Sequence, residues 1–377
     1  MYVSLAFNCR YCTDHLNKYT HQNHLGFFHR VSHYAKRLWC SIWYRQALPR
    51  YAQRHHHFAL GTSYLLLDFI NAQRGRMLSD YWLPLHNGDD KRRENLYRSL
   101  SRLSLSLGCQ QQSHIGALRF DDNGCISLRG PPLLCGNAIL ASETGLKGLD
   151  RTYTCAERFL HDMLAFRDQV LRAQLNAVND EDDCRLQMAH SVLLRALMPQ
   201  VVDYDAPFVL QFTDLHASNL FVDEAWNITG VIDLEFMCSL PASMLSVPHW
   251  LAGEHLDDLD PEKHARIHAA FMEFFHHEEA QRLEQSSLSR TIQESWASGA
   301  YWLYHGLTSV NVLPAAMEDH LWPLFGYDPS TIEEGRMFAN DLSTFWCRDS
   351  STFVAQKVAD KEAYSREVRQ FFDKRAS

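Results

Sequence analysis

The spacing of three polar residues around one tryptophan constrains this 377-residue chain more than any other feature. Phe208 to Phe212, Leu220 to Val222 and Ile228 to Ile232 are apolar runs of strand length with polar loops between them. Asp214 follows the first run, Asn219 precedes the second and Asp233 follows the third. Asn219 and Asp233 each lie seven residues from Trp226, so a turn centred on Trp226 returns both to the open end of one hairpin. Asp214, on the loop leading into that hairpin, arrives at the same edge.

An amide oxygen beside a carboxylate is a hard oxygen donor pair, suited to Mg²⁺ whose shell is completed by water and phosphate. A second carboxylate on the adjoining loop can orient a hydroxyl or amine toward phosphorus. These are the parts that phosphoryl transfer requires, because positioning and offsetting of charge supply most of its catalysis. An acidic loop whose polar groups merely cap turns does not account for two acids and an amide converging on one edge.

Asp214-Leu215-His216-x-x-Asn219 followed by Ile232-Asp233-Leu234-Glu235 resembles the aminoglycoside phosphotransferase and choline kinase family. The resemblance implies an α+β, protein-kinase-like fold with a large, mostly helical C-lobe that carries the catalytic-loop hairpin. It implies transfer of the γ-phosphoryl group of ATP to a substrate hydroxyl, with Asp214 as catalytic base and Asn219 and Asp233 holding Mg²⁺. Methylthioribose kinases of this family carry D-x-E at the metal position, which brings in Glu235, although a solvated or salt-bridged role fits that residue equally well. His216 matches the family pattern and equally fits a loop histidine that only fixes backbone geometry. Leu60 to Ile70 resembles the strand and hinge that join the two lobes, where backbone groups near Asp68 and Ile70 would bind adenine; taken alone, it reads equally as a buried strand. On this reading residues 1–58 are a diverged or truncated N-terminal segment, 59–70 the strand and hinge, and 71–377 the C-lobe.

Several other elements are legible. Arg93 to Leu107 has helical character, and Ile115 to Arg129 reads as a hairpin turning at Asp121-Asp122-Asn123-Gly124. Thr154-x-x-Glu157 has the capping-box pattern and predicts a long helix with Leu160, Leu164, Leu171, Leu175 and Val178 on one face. Asp180 to Asp183 is expected to end it as a solvated acidic loop, before a second helix over Leu186 to Met198. Asp260-Pro261 opens another helix, with Ile267, Phe271, Phe274 and Phe275 on one face. Trp296, Ala300, Leu303 and Leu307 mark the next, and 353–373 a third.

Residues 1–58 depart from a kinase N-lobe, which is a β-sheet with a glycine-rich loop, a strand lysine and a helix glutamate. They contain one glycine, Gly26, and only Val3, Val31 and Ile42 as β-branched aliphatics. Lys18 and Lys36 are their only lysines, and no glutamate precedes Glu94. What they offer is one helical pattern through Val31, Ala35, Leu38 and Ile42. The N-lobe is therefore expected to be reduced or irregular, and a catalytically inactive, kinase-like binding protein is the alternative function.

Composition narrows the partners. Residues 1–58 hold eight Lys or Arg against Asp14 alone, whereas the remaining chain holds 28 basic and 44 acidic residues. An acidic body argues against nucleic acid and is compatible with a small-molecule substrate, possibly cationic, that Glu254, Asp257, Asp258 and Asp260 could attract, although such a run is more often simply solvated. No apolar run reaches membrane-spanning length, and Met1 to Phe7 lacks the basic start and length of a signal peptide. Ten scattered cysteines suit a reducing, cytoplasmic setting. Cys9-x-x-Cys12 with His15, His21, His24 and His55 to His57 superficially matches zinc spacing without a compact four-ligand set.

Overall fold

The computed structural model describes residues 2–3, 19–21, 26–44, 51–53, 70–71, 75–81, 89–120, 126–254, 260–282, 287–309, 311–327 and 332–376. The hinge run up to residue 69, with Asp68, lies outside them, as do the 121–124 turn, Asp257, Asp258 and, except for the backbone of His21, the Cys9–His57 zinc-like set. The fold is mixed α/β and mostly helical.

Eleven short strands form three sheets among the described residues. A four-stranded sheet runs β1 (Tyr2–Val3), β10 (Ile228–Val231), β9 (Leu220–Val222), β4 (Arg76–Met77), with β1 parallel to β10 and the other pairs antiparallel. A five-stranded antiparallel sheet runs β5 (Gln111–Gln112), β8 (Phe208–Phe212), β11 (Met237–Pro241), β6 (Gly116–Phe120), β7 (Ile126–Gly130). β2 (Tyr19–His21) and β3 (Tyr51–Gln53) pair alone. The 208–212, 220–222 and 228–231 strands and the 116–130 hairpin thus fall where apolar spacing places them.

The longer helices are α1 (Phe27–Tyr44), α2 (Asp90–Gly108), α3 (Cys135–Thr144), α4 (Ala156–Ala173), α5 (Glu181–Val201), α6 (Pro261–Ala280), α7 (Leu288–Ser298), α8 (Ala300–Thr308), α9 (Ile332–Ser343) and α10 (Ser350–Ala376). Asp260 caps α6 as expected, accepting from the Lys263 amide at 2.9 Å, with Pro261 opening the helix.

Four expectations fail for identifiable reasons. The Thr154–Glu157 capping box does not form: Cys155 occupies the extended N-cap position, which places Glu157 one residue too early to reach back. α4 ends at Ala173, so Leu175 and Val178 lie beyond it. Its terminal carbonyls are met from afar: Lys357 Nζ on α10 donates to Gln174 O at 2.6 Å and Arg172 O at 3.5 Å. The acids at 180–183 begin α5 instead of forming a loop; Asp180 accepts from the Asp183 amide at 2.9 Å, and three acids occupy the first turn, where the helix dipole favours them. The Trp296–Leu307 pattern is split into α7 and α8 at Gly299, whose φ of +85° leaves the helical region.

Two cores result. One joins Phe159, Leu160 and Met163 of α4 to Leu194 and Met198 of α5 and Leu303 and Leu307 of α8. The other packs Leu96, Tyr97 and Leu100 of α2 and Phe271 and Phe275 of α6 against Leu220, Trp226 and Val231 of the hairpin. The first fastens the helical body; the second holds the hairpin in place.

Candidate active site

The β9–β10 hairpin is built around Trp226. Asp223 shapes the turn, its carboxylate accepting from the amides of Ala225 and Asn227 at 2.9 Å each. Trp226 adopts φ +64°, uncommon for a non-glycine residue, and is fully buried between Tyr81 and Arg92. Burial of the indole offsets that backbone cost, so the turn residue also anchors the hairpin to α2 and the second core.

At the open end, the Ile232 amide donates to Asn219 O at 3.0 Å; the register, shifted by a bulge between Ile228 and Gly230, sets Asn219 opposite Ile232 and leaves Asp233 one residue beyond it, not directly opposite as a turn centred on Trp226 would require. Asn219 is buried, and its Nδ2 donates to the backbone oxygen of Asp214 at 2.8 Å. This bond fixes the amide orientation and leaves Oδ1 as the acceptor available to a cation. Asp233 sits at φ +55°, ψ +55°, a second left-handed non-glycine residue, and starts the short 3₁₀ turn of Leu234–Phe236. Glu235, two residues on, is buried.

The Asp214 loop is pinned from several sides. Thr213 Oγ1 donates within 3.0 Å of Leu133 O and Phe236 O, and Trp250 Nε1 donates to Leu215 O at 2.6 Å. His216 Nδ1 lies 2.7 Å from Ser218 Oγ, while its Nε2 lies 3.6 Å from Asp214 Oδ1. If the serine hydroxyl donates to Nδ1, the ring proton resides on Nε2 and faces the carboxylate. The His216 ring thus adjoins Asp214.

Sequence reasoning missed Cys135 and Gly136, at the start of α3. The Cys135 thiol is pushed up to about 11, first by burial, then by the charge of Asp214, a hydrogen bond to that carboxylate, and the charge of Glu235. The thiol thus stays protonated and donates toward Asp214. A Cβ on Gly136 would stand 2.4 Å from Thr308 O, so only glycine lets α3 approach the end of α8 this closely. No local pattern marks this pair; long-range packing alone brings it to the site.

Ile70 is half-buried and Asp68 lies outside the described residues, so the hinge assignment stays an expectation. Glu254 pairs with Lys263 Nζ at 2.5 Å and accepts from the Asp260 amide at 3.0 Å, and the Asp260 carboxylate caps α6. Among the described residues no group of three or more His, Cys, Asp or Glu could hold a metal. The candidate donors are the Asn219 amide oxygen and the Asp233 carboxylate, with Glu235 two residues on. That suits a cation which keeps water and phosphate ligands, not one caged by protein.

Comparison with curated proteins and with solved structures gave no match. The family model APH, described as the phosphotransferase enzyme family, matches residues 144–244, a stretch that contains Asp214, Asn219, Asp233 and Glu235 and is consistent with an aminoglycoside- or choline-kinase-like phosphotransferase.

Proposed function

We propose that the chain is an ATP- and Mg²⁺-dependent small-molecule phosphotransferase that moves the γ-phosphoryl group onto a substrate hydroxyl. The convergence of Asn219, Asp233 and Asp214 at one end of a hairpin carries this reading. Asp214 orients the acceptor hydroxyl and takes its proton at a carboxylate oxygen, with His216 and Cys135 holding that carboxylate. Asn219 Oδ1 and Asp233 hold Mg²⁺, with Glu235 close by. When bound, the ion offsets charge on the nucleotide phosphates. In this reading residues 71–377 form a kinase-like C-lobe, 59–70 the hinge whose backbone near Asp68 and Ile70 meets adenine, and 1–58 a reduced N-lobe.

One observation favours the inactive, kinase-like binding protein instead. Lys36, one of two lysines before residue 59, lies exposed on helix α1 and not on a strand, and Gly26 is the only glycine there. Two variants separate the readings. Asp214→Asn should lower kcat on the order of 10³-fold while Mg²⁺·ATP still binds, and Asp233→Asn should weaken Mg²⁺·ATP itself. Mg²⁺·ATP at 100 times its Kd should stabilise the wild type by about 2.7 kcal/mol. A folded wild type with no such stabilisation and no turnover supports the inactive reading.

A further inference from the structure

The Asp214 carboxylate opens onto a cleft of about 590 Å³, lined by α2, α3, β8, β11 and the end of α8. Its walls are largely apolar, with Leu107, Ile139, Leu140, Leu210, Met244 and Leu245 contributing. Among the described residues lining it, Asp214 is the only Asp, Glu, Lys or Arg.

Three other titratable groups there, Tyr301, Tyr304 and His305, are neutral at pH 7. Burial, reinforced by His249 and His264, drives His305 down to about 3, so its ring is neutral at pH 7. Burial pushes the phenols of Tyr301 and Tyr304 far up, so neither ionises. Several polar side chains are already engaged within the wall. Gln211 donates to Pro241 O at 3.0 Å, Thr213 to Leu133 O and Phe236 O, and Thr308 to Tyr304 O at 3.0 Å, while Ser243 pairs with the Tyr304 hydroxyl at 2.7 Å. Among the described residues a polycation placed here would meet one carboxylate, itself directed at the transfer step, and a polyol would face walls that are mostly apolar. Both would forfeit more hydration than these walls return, whereas an apolar body would be favoured by burial.

We infer that the acceptor is an uncharged, predominantly apolar alcohol whose body fills this cleft and whose single hydroxyl reaches Asp214. The inference rests on the phosphotransferase reading and names its substrate class. In the step, the alcohol oxygen bonds to the γ-phosphorus as its proton passes to Asp214. The breaking bond's electron pair leaves on the β-phosphate oxygen of ADP.

Calorimetry on the full chain with a matched pair tests this without requiring turnover: 4-phenylbutan-1-ol against 2-amino-4-phenylbutan-1-ol, which carries an ammonium group at pH 7. The neutral alcohol should bind at least tenfold tighter, and Ile139→Glu, at a half-exposed rim position, should reduce that preference at least tenfold. Equal or tighter binding of the ammonium compound, or binding of neither, overturns the inference. Product is then sought by mass spectrometry with Mg²⁺·ATP. Phosphorylation of the ammonium compound alone overturns the inference and leaves the phosphotransferase reading intact. Tight neutral binding with no product supports the assignment of ligand class and counts against phosphoryl transfer.

Discussion

Helices α1 and α4 are each 18 residues long and each carries one apolar face, yet they end in opposite situations. On α4, Phe159, Leu160, Met163 and Leu164 are buried against α5 and α8. On α1, Phe27, Phe28, Val31, Leu38, Trp39 and Ile42 are all at least half exposed, and Arg30, Lys36 and Arg37 occupy the opposite arc. The ends differ too. Glu157 and Arg172 complement the dipole of α4, whereas α1 has no acid in its first turn and no base in its last. A 3.6-residue period specifies a helix and the direction of its apolar face. It does not specify whether another element covers that face, and most helix stability comes from that cover.

The sharpest way to break the comparison is to truncate equivalent aromatics. Phe159→Ala should cost about 3–5 kcal/mol in denaturant unfolding, because it opens a cavity in a closed core, while Phe28→Ala should stay within about 0.5 kcal/mol. Equal losses would show that the α1 face is covered in solution. A smaller effect tests how α4 is terminated. Lys357→Met leaves the Arg172 and Gln174 carbonyls without their donor and should cost about 1–3 kcal/mol, read from the same curves. An unchanged midpoint would mean that water replaces the ammonium.

The smallest expected effect concerns pH. Burial drives His264 and His268 down to about 4, with His268, His249 and His320 lowering His264 further. Folded values below the ordinary 6.5 mean that the unfolded chain takes up protons first as pH falls. The stability is fully present above about pH 6.5 and declines as pH drops toward 4, on the order of 1–2 kcal/mol per histidine at pH 5. His268→Phe keeps the stack on Trp296, 4.1 Å away, and should flatten that decline. A slope unchanged between pH 5 and 6.5 would remove His268 from the acid response.

Much of the candidate site was legible, because its geometry follows from local rules. Strand runs of Val, Leu, Ile and Phe, a turn near Trp226 and the spacing of Asn219 and Asp233 about it require no information beyond the 26 residues from Phe208 to Asp233. The supporting partners were not legible. Trp250, Leu133, Cys135 and Gly136 reach the Asp214 loop or its cleft across 35 residues or more of sequence, and nothing in their local pattern announces it. Helix ends behaved similarly. Asp260-Pro261 was read correctly because its cap is local, whereas the end of α4 depends on a lysine 183 residues away from Gln174.

By itself, the sequence determined where most strands and several helices form, which of their faces are apolar, and that Asn219 and Asp233 fall at the open end of one hairpin that follows Asp214, since these depend on periodicity and on contacts within a few residues. Only the tertiary structure decided which apolar faces are covered, which acids are engaged by neighbours, as Glu254 is by Lys263, and that a cleft with mostly apolar walls adjoins Asp214. The physical reason is that burial and charge pairing are properties of neighbours in space, and chain spacing does not encode distant neighbours.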